Sequence, residues 1–180
     1  MKKAIFVIIV LIIFMGLKCT SVQNQEKWTT ISLDFYSGPL SPLYQYYFTI
    51  SISNDLKGHF KYSFPMDELE AYSYDFTITN EQIIKLNDAI AKSKMMEMTI
   101  PSLSEKYKPV GGSTIKAKII IVNPDPNFDQ PPKVFESPLY PLEKYQKDLN
   151  ELYDLIKSYV PKDKLNESEK KRNEYIEKNK

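Results

Sequence analysis

The sequence predicts an α+β domain: an antiparallel sheet of hairpins in the order β-β-β-β-α-β-β-α, with two helices packed on one face. Three observations carry this. Residues Tyr44 to Ser53 alternate strictly, with Tyr44, Tyr46, Phe48, Ile50 and Ile52 on one side and Gln45, Thr49, Ser51 and Ser53 on the other. A turn-rich stretch, Asn54-Asp55-Leu56-Lys57-Gly58, then returns the chain as a hairpin. Near the C-terminus Leu142, Tyr145, Leu149, Leu152, Ile156 and Tyr159 recur at spacings of three and four, the stripe of an amphipathic helix.

The remaining elements follow in order. Trp28 to Tyr36 reads as a first strand, with Ile31, Leu33 and Phe35 alternating, and Ser37-Gly38-Pro39-Leu40-Ser41-Pro42 is turn chemistry. The strand after the hairpin turns Phe60, Tyr62 and Phe64 inward and His59, Lys61 and Ser63 outward, until Pro65 ends it. Tyr72 to Ile78 alternates again. Thr79-Asn80-Glu81-Gln82 is a capping box, because threonine can accept from the backbone of the glutamine three residues on, which can reach back. The helix it opens runs to about Lys94, with Ile83, Leu86 and Ile90 on its apolar stripe. Gly111-Gly112 opens a strand over Ser113 to Val122, and Lys133 to Ser137 pairs back across a proline- and aspartate-rich loop. Pro141 suits the first turn of the last helix, and Pro161 stops it.

Ahead of the domain stands a leader. Lys2 and Lys3 precede an uncharged apolar run from Ala4 to Leu17, long enough for a secretory signal and short of the ~20 residues of a spanning helix. Gly16-Leu17-Lys18-Cys19 resembles the lipobox of bacterial lipoproteins, in which signal peptidase II cuts before a cysteine that carries the lipid. The resemblance implies a signal peptide over 1–18, lipid attachment at Cys19, a tether over 19–27 and a place in the cell envelope, on the periplasmic or surface face. Cleavage after Ser21 with soluble secretion, or an uncleaved anchor, are the other readings. Cys19 is the only cysteine of the chain, so no disulfide staples the domain. The single domain spans 28–161. Residues 162–180, with seven basic and five acidic side chains, read as a disordered tail or a solvated helix carrying Glu167–Lys171 and Glu174–Lys178 pairs.

Composition narrows function by subtraction. From Cys19 onward 21 basic residues face 23 acidic ones, which does not mark a nucleic-acid binder. His59 is the sole histidine, so histidine-rich metal sites are excluded, and a Ser–His–Asp triad would have to use a residue predicted on a solvated strand face. No phosphate-binding glycine loop occurs. Asp67, Glu68 and Glu70 cluster after Pro65, and read as a solvated loop rather than an acid/base pair. Asp125, Asn127, Asp129 and Glu136 have the oxygen-ligand spacing of a calcium loop, but Gln130 holds the position that needs glycine, and prolines 126, 131 and 132 stiffen it. A hairpin loop without calcium is expected. Tyr44, Tyr46, Phe60 and Tyr62 are assigned to the core. Tyr36, Tyr47 and Tyr107 fall off the strict pattern and are the first candidates for an exposed binding surface.

The element order and its local phrases resemble a family of small bacterial domains that includes envelope lipoprotein domains and the emfourin-type inhibitors of thermolysin-like metallopeptidases. The phrases are Tyr36-Ser37-Gly38, Thr79-Asn80-Glu81-Gln82, the stretch from Met95 to Pro101, and Gly111-Gly112. The resemblance implies the α+β fold above and a protein that binds another protein. The sequence reading is thus a non-enzymatic, lipid-anchored binding module without cofactor, whose partner is the membrane and another envelope protein or a protease. A metallopeptidase inhibitor is the first alternative, and a hydrolase using carboxylates the second.

Overall fold

The computed structural model describes residues 27–64, 67–123 and 130–180, and for 67–70 the backbone only. The leader, Cys19 and the Asp125-Asn127-Asp129 stretch lie outside the described residues. Six strands are described: β1 Thr30–Tyr36, β2 Tyr47–Ser53, β3 Lys57–Phe64, β4 Asp67–Thr77, β5 Thr114–Ile121 and β6 Lys133–Glu136. Three helices are described: α1 Asn80–Ser93, α2 Glu143–Ser158 and α3 Lys162–Lys178. The strands form one sheet in the order β4-β3-β2-β1-β5-β6, and every pairing is antiparallel. The α+β class and the antiparallel sheet therefore hold. The helix count is corrected from two to three.

The alternation in the sequence becomes a two-faced sheet. One register row places Tyr74, Phe60, Ile50, Leu33 and Ala117 side by side across five strands. Phe60, Ile50, Leu33 and Ala117 are fully buried, joined from above by Leu86 and Ile90 of α1 and by Leu149, Leu152 and Ile156 of α2. Gly58 lacks a side chain on this face, and the ring of its β4 partner Phe76 lies across the gap. The capping box forms in both halves: Thr79 Oγ1 accepts from the Gln82 amide (3.2 Å), and the Thr79 amide donates to Gln82 Oε1 (2.7 Å). In α2, Tyr153 joins the predicted stripe. Its hydroxyl donates to Ser137 Oγ (2.7 Å), which also accepts from the Ala117 amide (2.8 Å), pinning the helix to β5.

Four local expectations are corrected. Tyr44 is neither strand nor core: Pro42 starts a single 3-10 turn, Pro42–Tyr44, and β2 begins only at Tyr47. Pro141 lies ahead of α2 and instead bridges to Ser102. The stretch holding Asp67, Glu68 and Glu70 is not a loop but the start of β4. After Phe64 pairs Asp67 the register shifts, and pairing resumes at Tyr62 with Tyr72, so β4 carries extra residues there. Ser63 sits at that shift and is buried rather than outward.

At the C-terminus the helical alternative is the one that forms, over Lys162–Lys178. It is not merely solvated, because α3 docks on the aromatic end of the sheet. Tyr175 is buried and stacks on Phe64, with ring centroids 4.5 Å apart and planes 7° from parallel. Arg172 stands 4.1 Å over the Tyr46 ring, Lys164 4.7 Å over Tyr74 and Lys171 5.3 Å over Tyr72. Its own charge pairs include Lys164–Glu167 (2.9 Å) and Lys170–Glu174 (3.7 Å). The Tyr72 hydroxyl, followed by the Lys164 ammonium, holds the Glu167 carboxyl below the usual carboxylate range.

Candidate functional site

With three helices committed to the apolar face, the opposite face of the sheet carries the polar half of every alternation. Register sets these side chains in rows. Asp75, His59, Ser51, Ser32, Lys118 and Glu136 line up across all six strands. The next row is Ser73, Lys61, Thr49, Asp34 and Lys116, followed at one end by Tyr47 beside Tyr36.

The rows are cross-linked. His59 Nδ1 and Asp75 Oδ1 are 2.6 Å apart. Thr49 Oγ1 donates to Asp34 Oδ1 (2.8 Å). Glu136 takes a hydrogen bond from Lys116 and an ion pair from Lys118 (3.2 Å), and these two ammoniums, Lys116 foremost, hold its carboxyl below the usual range. At the β2–β3 turn, hydrogen bonds from Lys57 and then Ser53 hold the Asp55 carboxyl at about 2. A shallow cleft of about 730 Å3 opens here, and Ser51, Ser53, Lys57, His59, Asp75 and Thr77 are among its lining residues.

What this arrangement can do follows from its parts. Ser51, His59 and Asp75 are register neighbours on three adjacent strands, the residue types of a nucleophilic triad. A triad also needs a buried carboxylate and free backbone N–H groups to hold an oxyanion. Here the Asp75 side chain is 88% exposed, and the amides of β2 and β3 that flank Ser51 and His59 are engaged in ladders on both sides. The geometry offers instead a flat array of hydroxyl, imidazole, ammonium and carboxylate groups spaced by the strands, about 4.8 Å apart in one direction. Such an array suits hydrogen bonding to an extended polar ligand.

No protein-family model matches the chain, and no curated protein matches it.

The sequence-predicted residues are distributed as follows. Tyr36 and Tyr47 are direct cross-strand partners at one end of the open face, Tyr36 exposed and Tyr47 half-buried. Tyr107 is exposed on a separate short turn, Glu105–Tyr107. His59 is on the solvated face as expected. Glu136, on β6, is occupied by Lys116 and Lys118 of β5, and among the described residues no cluster of three His, Cys, Asp or Glu side chains could hold a metal ion. The side chains of Asp67, Glu68 and Glu70 lie outside the described residues. Ser32, Ser51, Asp75 and Lys118 were not singled out from sequence. The signal was present in the same period-two pattern that marks the core, but only pairing register brings these residues into one row. Among the described residues no helix is long and apolar enough to cross a membrane.

Proposed function

We propose that the chain is an exported, lipid-anchored protein of the bacterial cell envelope that binds rather than catalyses, with the open sheet face as its recognition surface. The observation that supports this reading is the uninterrupted polar row from Asp75 to Glu136, flanked by the Tyr36–Tyr47 pair and hollowed by the cleft around His59. A glycan or an extended peptide of the envelope fits its chemistry: hydroxyls and charges at strand spacing, with tyrosine rings to stack on at one end. Two experiments test the two halves. Cys19→Ala is expected to release the protein from membranes and to abolish labelling by a fatty-acid precursor; continued labelling removes the lipid from Cys19, where Lys18 directly precedes the cysteine. Envelope material captured by the wild-type chain is expected to be lost with Ser51→Arg and with His59→Ala, and capture unchanged by both removes the open face.

One observation favours a second reading, inhibition of a thermolysin-like metallopeptidase. Two of the phrases that carry the family resemblance meet in space, since Gly38 lies directly against the carbonyl of Gly112. That reading predicts stoichiometric slowing of such an enzyme by the chain. An enzyme unaffected over a range of ratios, or a chain that is simply digested, removes it.

A further inference from the structure

The chain enters the domain at one pole of the sheet and presents an apolar tip at the other. Trp28 marks the first pole, with its indole N–H donating to Asn87 Oδ1 (2.7 Å) and its carbonyl accepting from Asn54 Nδ2 (2.8 Å). From there β1 runs through the middle of the sheet to Tyr36. The loop after it, residues 37–46, meets the loop before β5, residues 107–113. A Cβ on Gly38 would collide with the Gly112 carbonyl, and the Pro39 ring sits 3.5 Å from where a Cβ on Gly111 would stand. Gly38, Gly111 and Gly112 all adopt positive φ, of 94°, 83° and 89°, which glycine alone takes up without strain. Two loops from distant parts of the chain are thereby locked into one tip.

The tip has an unusual surface for a chain in which 26% of residues are charged. Residues 37–46 contain no charged side chain. Leu40, Tyr44 and Tyr107 are exposed, and Val110 is fully exposed. Pro39, Pro42 and Pro109 stiffen the backbone between them. The charges beside the tip include Lys106, whose ammonium lies 5.6 Å over the Tyr107 ring, the Lys108–Glu105 pair, and Arg172 of α3, 4.1 Å over the Tyr46 ring. Exposed aliphatic side chains, tyrosines and neighbouring lysines are the groups that suit the layer between acyl chains and headgroups.

We propose that this tip rests in the interfacial layer of a lipid bilayer. The proposal rests on the anchoring reading above. Reach permits it when the sheet leans over: the nine residues 19–27 span at most about 30 Å, and the chain from Lys27 to Tyr36 rises about as much. An extended tether thus brings the tip to the bilayer that holds Cys19 with the sheet inclined toward the membrane. Four side chains give only weak binding alone, and the tether raises their local concentration to the millimolar range. With the tip seated, the long axis of the sheet is inclined toward the membrane surface.

The test supplies the anchor chemically, so that it does not depend on acylation in the cell. The mature chain, 19–180, with Cys19 as its sole thiol, is coupled to a maleimide headgroup in phosphatidylcholine–phosphatidylglycerol vesicles containing brominated acyl chains. Val110→Trp and, separately, Tyr107→Trp place a reporter at the tip, while native Trp28 reports the other pole. The added tip emission is expected to shift to the blue and to fall about twofold with brominated lipid, with Trp28 emission unchanged. Leu40→Asp with Tyr44→Asp is expected to abolish the quenching. Tip emission no more quenched than Trp28, quenching that survives the double aspartate variant, or self-association on the vesicles without quenching each overturns the proposal. Absence of a lipid on Cys19 in cells, with quenching intact in the coupled chain, overturns the anchoring reading alone.

Discussion

Replacing Tyr175 by alanine asks whether α3 belongs to the folded domain. The ring is buried and stacked on Phe64. Burial of a large aromatic side chain contributes about 2–3 kcal/mol, and a stacked aromatic pair adds about 1 kcal/mol, so Tyr175→Ala is expected to cost about 3 kcal/mol. The remaining contacts of α3 set a ceiling. Arg172, Lys164 and Lys171 each contribute about 0.5–1 kcal/mol through their tyrosine rings. Leu165 and Ile176 also pack against the core, so removing Tyr175 takes away the largest single contribution to docking the helix rather than all of it. Two consequences are measurable. In urea unfolding the stability falls by about 3 kcal/mol, equivalent to roughly 6–12 °C in Tm for a domain of this size. Arg172→Ala, costly in the wild type, adds less than about 0.5 kcal/mol in the Tyr175→Ala background, because the helix is already loose. Hydrogen exchange localises the effect, with the amides of 162–178 losing protection ahead of the sheet. A stability change below about 0.5 kcal/mol with unchanged protection of α3 would refute the reasoning, and strict additivity of the two substitutions would refute the shared-docking part of it.

The glycines of the tip separate strain from collision. Gly38→Ala and Gly112→Ala both force alanine into positive φ at about 1–2 kcal/mol, but only at Gly38 does the new Cβ meet a backbone carbonyl. Gly38→Ala is expected to be the more damaging by at least about 1 kcal/mol in chemical denaturation, and equal losses would mean the two loops are not in contact. Ser137→Ala strands the buried Ala117 amide and Tyr153 hydroxyl together and should cost about 2–3 kcal/mol, against about 1 kcal/mol for Tyr153→Phe, which removes only one donor. The reverse order in thermal melts would contradict the bonding described. Asp55 and Glu136 have folded-state carboxyls held below their ordinary values by lysines, so their stabilisation is complete above the unfolded carboxylate range and is lost as pH falls, for Asp55 from about 4 toward 2. Asp55→Asn with Glu136→Gln should flatten the acid limb of Tm against pH. At the other extreme, burial raises Tyr62, Tyr153 and Tyr159, so the fold should lose stability as pH climbs above the ordinary tyrosine value near 10.

Where one force decides a local structure, the sequence was readable. Strict alternation from Phe48 to Ser53 marks one buried face, and the β2–β3 hairpin formed around it. Threonine and glutamine three apart satisfy each other's backbone, and α1 starts where they stand. Reading failed where two signals overlapped. The alternation runs on through Tyr44 to Tyr46, but Pro42 fixes its own φ and favours a tight turn, so Tyr44 leaves the sheet. It failed again where docking needs few apolar residues. α3 is bound by one buried tyrosine, by Leu165 and Ile176 at its margin and by cations over tyrosine rings, and lysines over rings look like lysines in water when only the sequence is in view. The open-face row was illegible for another reason: Asp75, His59, Ser51, Ser32, Lys118 and Glu136 are scattered over five connections and become neighbours only through pairing register.

Under the anchoring proposal, the place at which residues 19–27 join the sheet has a mechanical meaning. A pull on residues 19–27 arrives at Trp28 and passes directly into β1, which is bonded along its length to β2 on one side and β5 on the other. Load directed along that strand shears both ladders at once instead of peeling hydrogen bonds one at a time. The hydrogen bonds from Trp28 to Asn87 and from Asn54 to the Trp28 carbonyl share the first of that load with α1 and the β2–β3 turn. A protein pulled from its membrane would then give way by a slow, forced unfolding step governed by the rate of breaking the central ladders, and it would keep its open face intact under tensions that unzip a sheet held by an edge strand.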